Sequence, residues 1–138
     1  VIEQVKPDLL QFHGDESPSF CQQFDVPFIR AIRMREGLNV EAEVREYKAL
    51  GGVLFDAWSE DQYGGTGHQF DWSRLPRADA MPEGSPLILA GGLTPDNVAD
   101  AVRRVGPNMV DVSGGVESAP GFKDVTKVTT FIYNAKNA

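Results

Sequence analysis

Apolar residues in this chain form five short runs separated by more polar stretches. The runs do not alternate strictly between apolar and polar positions, so they predict strands that are buried on both faces, as in a parallel sheet. They occupy residues 8–14, 28–33, 52–58, 87–92 and 109–115.

The stretches between these runs carry signals of helices. Ser17 followed by Pro18 is typical of a helix start, and Thr94-Pro95 and Asp124 predict two later starts. Strands and helices that alternate in this way predict an α/β fold built from βα units. The helix faces expected to be buried contain Phe20, Cys21 and Phe24; Val44, Tyr47 and Leu50; Val98, Ala101, Val102 and Val105; and Val125, Val128, Phe131 and Ile132.

Two of the apolar runs end in paired glycines. They read LILAGGLTPDNV from residue 87 and VDVSGGVE from residue 110. Glycine lets backbone N–H groups approach a phosphate closely, and the first turn is expected to lead directly into a helix N-terminus. Two successive strand ends of this kind predict a phosphate site at the last two units of a (β/α)₈ barrel. The candidate residues are Gly91, Gly92, Gly114 and Gly115.

Composition limits the classes of protein that remain. The 138 residues, 41% of them hydrophobic, predict a single domain over 1–138, and no stretch has the length of a membrane span or the pattern of a signal peptide. We therefore expect a cytoplasmic protein without a membrane partner. The net charge of −7 argues against nucleic acid. One cysteine and two histidines offer no disulfide and no metal site.

The number of strands is smaller than a barrel requires. A (β/α)₈ barrel needs eight units and usually about 250 residues, whereas five strands are predicted here. The chain also begins with Val1, in what reads as the end of an amphipathic helix, VIEQVKP. We therefore expect a truncated sequence. The competing interpretation is a complete five-stranded open sheet that binds ligands at its carboxyl edge.

Several longer motifs make the interpretation more specific. LLQFHGDE, VLFDAW, GGTGHQFDW, LILAGGLTPDNV and VDVSGGVESAPGFKD occur in this order. Together they resemble the phosphoribosylanthranilate isomerase family, a group of (β/α)₈ enzymes of tryptophan biosynthesis. The resemblance covers essentially the whole chain and implies that it supplies the fourth to eighth βα units, without the first three.

The resemblance implies an Amadori rearrangement of a phosphorylated ribosylamine, without metal or organic cofactor. The reaction needs an acid that protonates the ring oxygen and a base that removes the proton at C2. The family's acid is an aspartate at a strand end, which corresponds to Asp56. Strand alternation supports this assignment, because it places Leu54 and Asp56 on one face and Val53 and Phe55 on the other.

The family's base is a cysteine at the end of the first strand, and Cys21 does not match that position. Cys21 lies on a predicted helix, where a buried structural thiol is the common role. We therefore expect this chain to be inactive alone.

Other positions follow from the same resemblance. Gln11 and His13 are expected at the anthranilate end, where Arg30 or Arg33 could pair with the carboxylate and Arg33 is the candidate site residue. Asp111 and Ser113 are expected to face inward, with Asp111 at the ribose hydroxyls and the catalytic centre. Gly65, Thr66 and Gly67 form a loop expected to close over substrate. His68 departs from the family's lysine or arginine, and Gly114 from its second serine.

Two alternatives stay open. One is another phosphate-binding barrel, such as a ribulose-phosphate epimerase or a thiamine-phosphate synthase, although the expected metal-ligand histidines or pyrophosphate signature are not evident. The other is a non-catalytic half-barrel, whose exposed strand edges would be covered by a partner chain or by a second copy.

Overall fold

A parallel sheet of five strands forms the centre of the protein in the computed structural model, which describes residues 1–35, 37–47, 49, 51–57, 72–82 and 85–138. The strands lie where the apolar runs predicted them. They are β1 (Leu10–Phe12), β2 (Phe28–Arg33), β3 (Gly52–Asp56), β4 (Leu87–Ala90) and β5 (Met109–Val110).

Helices connect or flank these strands. They are α1 (Ile2–Val5), α2 (Pro18–Gln22), α3 (Val40–Tyr47), α4 (Val98–Val105) and α5 (Val125–Lys136). Among the described residues, none of the helices has the length and apolar character that crossing a bilayer requires.

The order of the strands identifies the kind of α/β fold. Each strand pairs in parallel with the next one along the chain, in the order β1-β2-β3-β4-β5. The buried residues of α2, α3, α4 and α5 all join one hydrophobic cluster with one face of the sheet. A doubly wound sheet has helices on both faces, whereas a barrel wall has them on one. The α/β prediction is confirmed, and the arrangement is that of a barrel wall.

The two faces of the sheet have different surroundings. Val53 and Phe55 of β3 are fully buried beneath the helices. Leu54, Ile88 and Ala90 form a separate small cluster on the opposite, inner face. The predicted alternation along β3 is therefore confirmed, and it leaves the inner face of the sheet available for a site.

The predicted helix caps at Ser17 and Asp124 are confirmed. The Ser17 hydroxyl accepts a hydrogen bond from the Phe20 N–H at 3.2 Å, and the Asp124 carboxylate accepts one from the Lys127 N–H at 3.0 Å. These bonds satisfy N–H groups that the first turn of a helix leaves unpaired.

Two predictions about α5 are wrong. Val125 is 80% exposed and Ile132 is 48% exposed, so neither faces the core. The helix packs instead through Val128, Phe131 and Ala135, which follow one another at helical spacing. A helix on the outside of a sheet buries only one stripe, and Val125 and Ile132 lie beside that stripe.

The predicted burial of Phe20 is also wrong: it is 46% exposed, because only one side of its ring packs, edge-on against Phe12 and Phe24. Leu50, predicted to be on the buried face of α3, lies outside the described residues.

A short hairpin follows β5 and was not predicted. Its strands are β6 (Glu117–Ala119) and β7 (Phe122–Lys123), which pair antiparallel. Gly121 has φ of 82° between them, a conformation that favours glycine. The hairpin returns Lys123 towards the end of β5.

Candidate functional site

A cavity of about 680 Å³ lies at the carboxyl ends of the five strands, on the inner face of the sheet. Every predicted site residue within the described ranges lines it. Gly65, Thr66, Gly67 and His68 lie outside the described residues. The lining residues that the sequence predicted are Gln11, His13, Arg33, Asp56, Gly91, Gly92, Asp111, Ser113, Gly114 and Gly115.

The register of the sheet explains why these residues meet. Arg33 of β2 lies opposite Asp56 of β3, which lies opposite Ala90 of β4. The Asp56 carbonyl accepts a hydrogen bond from the Met34 N–H at 3.0 Å, and the next N–H, of Ala57, donates to the Ala90 carbonyl at 3.0 Å. The backbone that carries the carboxylate is therefore held from both neighbouring strands.

The backbone N–H groups of the two glycine pairs are candidate donors to a ligand in the cavity. Within the described part of the chain, the N–H groups of Gly91, Gly92, Gly114 and Gly115 donate no hydrogen bond. Gly91 and Gly92 have φ of 80° and 64°, a region that other residues rarely adopt. Backbone donors clustered on glycine-rich turns are suited to an anion.

Gly115 is required for a different reason. A Cβ atom at this position would lie 1.8 Å from the carbonyl oxygen of Leu93. No room for a side chain remains between the two turns, so glycine at this position lets them approach each other. The chain after β4 and the chain after β5 thus form one continuous wall.

The predicted helix start at Thr94 is confirmed in part: the Thr94 carbonyl accepts the Val98 N–H at 3.1 Å, as at a helix N-terminus, but the regular helix starts later. Helix α4 begins at Val98, because residues 95–97 form a turn. The Asn97 side chain explains the turn: its oxygen accepts from the Thr94 N–H at 2.8 Å, and its nitrogen donates to the Gly92 carbonyl at 2.9 Å. A short 3₁₀ turn, Gly114–Val116, begins at the cavity instead.

Asn97 and Lys123 support the glycine turns, and neither was predicted. The Lys123 ammonium donates to the Ser113 carbonyl at 2.9 Å, to its hydroxyl oxygen at 3.2 Å and to Glu117 at 2.6 Å. The Ser113 hydroxyl accepts this bond, so its own proton remains available for a ligand. Two features of the sequence could have indicated these residues: the asparagine at the end of TPDN, residues 94–97, and the lysine in GFKD, residues 121–124.

The two candidate arginines point to opposite faces of β2. Arg33 lines the cavity, as predicted. Arg30 is buried at 7% exposure, and its guanidinium forms an ion pair with Glu16 at 3.0 Å. Hydrogen bonds from backbone N–H groups, foremost that of Glu16 itself, lower the pKa of the Glu16 carboxyl despite partial burial, and Arg30 lowers it further.

This lowered pKa predicts a pH-dependent contribution to stability. The ionised Glu16 carboxylate stabilises the fold above its ordinary pKa of 4.5, and the contribution is lost as the pH falls through the lower folded value. We expect Glu16→Gln to lower the melting temperature at pH 7, with the difference from the parent protein shrinking below pH about 4.5. Thermal unfolding of both proteins from pH 7 to pH 3 measures this, and a difference independent of pH would contradict it.

Cys21 does not line the cavity. It is fully buried in the outer hydrophobic cluster beneath the helices. Burial raises the pKa of its thiol, so the neutral form is favoured. The structural role predicted for Cys21 is confirmed, and it is not placed to remove a proton from a ligand in the cavity. The described residues also contain no cluster of three or more His, Cys, Asp or Glu that could hold a metal ion.

Comparison with known proteins identifies the family. The family model described as N-(5'phosphoribosyl)anthranilate (PRA) isomerase matches residues 1–134. The chain belongs to this family. The isomerase of Chromohalobacter salexigens is 52% identical over 125 residues, which cover 91% of this chain and 57% of that protein. The isomerase of Pseudomonas fluorescens is 49% identical over 132 residues, covering 96% of this chain and 63% of that protein.

Solved structures of phosphoribosylanthranilate isomerases share the fold. The Thermotoga maritima enzyme superposes with a TM-score of 0.81 at 35% identity, over 99% of this chain and 65% of that one. An isomerase in complex with reduced 1-(o-carboxyphenylamino)-1-deoxyribulose 5-phosphate gives a TM-score of 0.77 at 32% identity, covering 99% of this chain and 63% of that one. The chain spans 57–65% of the length of the curated relatives it matches.

Proposed function

We propose that this chain carries the substrate-binding wall and the acid of a phosphoribosylanthranilate isomerase. The observation that carries the proposal is the cluster of four glycines after β4 and β5, whose N–H groups have no acceptor among the described residues, in one cavity with Asp56 of β3. In such a site the bound phosphate would anchor the sugar, and the nearby carboxyl group could then act as the acid that opens the sugar ring.

The order of the strands supports an orientation for the substrate. β1 and β2 carry Gln11, His13 and Arg33 on one side of the cavity, and the glycines lie on the other. The substrate has an anthranilate carboxylate at one end and a phosphate at the other. Arg33 pairs with the carboxylate, the glycine N–H groups bind the phosphate, and the ribose lies near Asp56 on the middle strand.

The proposed chemistry follows from this orientation. Asp56 protonates the furanose ring oxygen, so the C–O bond breaks and a Schiff base forms. A base then removes the proton at C2, and the resulting enolamine tautomerises to the amino-ketose. Asp111 and Ser113 contact the ribose hydroxyls. The predicted role of Gly65, Thr66 and Gly67 concerns residues outside the described part of the chain.

The proposal also includes the predicted domain organisation, the position of the strands in the barrel and the source of the base. The chain is a single domain, and its five strands correspond to the fourth to eighth units of the (β/α)₈ barrel. The cavity walls contain no cysteine among the described residues, which supports the prediction that the family's base has no counterpart here and that these 138 residues are inactive alone.

The position of exposed apolar side chains supports the prediction that another polypeptide covers the edges of the sheet. The large hydrophobic residues that the described part exposes lie near β1 or after β4, and none lies in the central units. Such surfaces are suited to cover by another polypeptide or by a second copy of this chain. They are Val1, Val5, Leu9 and Phe20 on one side, and Met109, Phe122, Val125, Ile132 and Tyr133 on the other.

Calorimetric titration with reduced 1-(o-carboxyphenylamino)-1-deoxyribulose 5-phosphate tests the proposed function. We expect the 138-residue chain to bind it, and Arg33→Met to weaken binding at least about tenfold, because a carboxylate loses a bidentate partner. The exposed Arg45→Met is the matched control and keeps the parent affinity. A folded chain that does not bind the compound contradicts the proposal, and equal affinity for ribulose 5-phosphate favours another phosphate-binding barrel.

A further inference from the structure

Arg30 lies beneath the loop that follows β1 and bonds to it at two points. One guanidinium nitrogen donates to the Gly14 carbonyl at 3.0 Å, and another donates to the Glu16 carboxylate at 3.0 Å. The same carboxylate oxygen accepts the Gly14 N–H at 2.9 Å. The peptide groups on both sides of Gly14 are therefore held by one arginine–carboxylate pair.

Tyr47 of α3 completes this cluster. Its ring lies 4.3 Å from the Arg30 guanidinium, and its hydroxyl donates to the Glu16 carbonyl at 2.8 Å. Arg30, Glu16, Tyr47 and the Gly14 backbone thus make four hydrogen bonds around a short loop. A buried ion pair by itself is weak evidence for stability. These contacts hold the backbone of Gly14 and Glu16 against β2 and α3.

His13 depends on the backbone that these contacts hold. The ladder between β1 and β2 ends at the pair Phe12 and Arg30, so His13 is the first residue beyond it. Its imidazole is exposed, lines the cavity and makes no hydrogen bond to the described residues. Its direction is consequently set by the backbone, which is fixed by β1 on one side and by the Gly14 bonds on the other.

We propose that Arg30 is a positioning residue, which fixes Gly14 and Glu16 against Tyr47 and thereby holds His13 in the wall of the cavity. The proposal rests on the proposed function only for the consequence that His13 then meets the substrate. Arg30 does not line the cavity of about 680 Å³ described above, although it lines an adjacent cavity of about 450 Å³ with His13 and Arg33. In this proposal it acts on His13 through the loop.

NMR spectroscopy of the full chain tests this role in the absence of ligand. In Arg30→Met we expect increased mobility of the Gly14 and Asp15 amides on the nanosecond timescale, and His13 imidazole signals displaced towards those of an unstructured histidine. Arg30→Lys restores the signals in part, because it keeps the charge but not the two-point geometry. The matched control Arg45→Met removes an exposed ion pair and leaves these signals unchanged.

Binding provides the second readout. We expect Arg30→Met to lower the affinity for reduced 1-(o-carboxyphenylamino)-1-deoxyribulose 5-phosphate about tenfold, since a displaced contact residue weakens recognition without altering the glycine turns. A parent chain that does not bind this compound refutes the proposed function, while the NMR comparison still decides the role of Arg30. Folded Arg30→Met with unchanged Gly14 and His13 signals overturns the inference.

Tyr47→Phe decides the question if Arg30→Met does not fold. It removes only the hydroxyl bond to the Glu16 carbonyl and keeps the ring under the guanidinium. We expect the same displacement of the His13 signals at smaller amplitude. Unchanged His13 signals in Tyr47→Phe then overturn the inference.

Discussion

Replacing Gly115 with alanine destabilises the protein by about 3 kcal/mol or more, whereas the same change at Gly114 costs less than about 1 kcal/mol. The alanine Cβ at residue 115 would lie 1.8 Å from the Leu93 carbonyl oxygen, and a backbone atom cannot move aside as the end of a side chain can. At residue 114 nothing lies within 4 Å of the added atom. Urea unfolding of the two variants measures the contrast.

The comparison isolates the contact between the two glycine turns. Both variants add one methyl group to adjacent residues of the same 3₁₀ turn, so composition and propensity are matched. Equal stabilities of the two variants would contradict the close approach of Leu93 and Gly115. Folded Gly115→Ala is also expected to bind the phosphorylated analogue at least about tenfold more weakly, because separated turns no longer direct their N–H groups to one anion.

Replacing Asp56 with asparagine lowers turnover by about 10²- to 10⁴-fold, which is the usual contribution of a positioned acid or base. Asparagine keeps the shape of the side chain but cannot donate a proton to the ring oxygen. Affinity for the reduced product analogue stays within about threefold, because the groups proposed to bind its two ends are unchanged.

On the proposed function, the base comes from βα units outside these 138 residues. We therefore expect the 138-residue chain alone to be inactive, and a chimera that adds the first three βα units of the Chromohalobacter salexigens relative to be active. Asp56→Asn is introduced into that chimera, with Asp79→Asn, an exposed aspartate outside the cavity, as the control. Turnover of the Asp56→Asn chimera within tenfold of its parent would contradict the role of Asp56.

The residues that face the cavity were largely predictable because strands have a period of two. Once β3 was recognised, Leu54 and Asp56 had to lie on the face opposite Val53 and Phe55, and the structure has them there. Parallel strands then bring their carboxyl ends to one edge of the sheet. The site follows from strand parity and glycine position, which are local properties of the sequence.

The errors arose where side chains or neighbouring elements override local signals. Thr94-Pro95 reads as a helix start, and the Thr94 carbonyl does accept the Val98 N–H, but residues 95–97 form a turn and the regular helix α4 begins only at Val98. Val125 has the spacing of a buried residue, yet no neighbouring element covers it. These outcomes depend on packing between distant segments, which hydrophobic periodicity does not contain.

Polar contacts between residues far apart along the chain also could not be predicted from the sequence. Lys123 reaches Ser113 across ten positions, and Arg30 reaches Gly14 across sixteen. The contacts of Arg30 with Gly14 and Glu16 in particular depend on how the loop after β1 folds back over β2. The residues that support the site are thus harder to predict than those that line it.

Binding of the phosphate by the two glycine turns is tested most directly by amide NMR mapping of the 138-residue chain during titration with reduced 1-(o-carboxyphenylamino)-1-deoxyribulose 5-phosphate. We expect the largest shifts on Gly91, Gly92, Gly114 and Gly115, whose N–H groups are the proposed phosphate donors, with a second set around His13 and Arg33. Saturable binding whose largest shifts lie away from both glycine turns would contradict this binding mode.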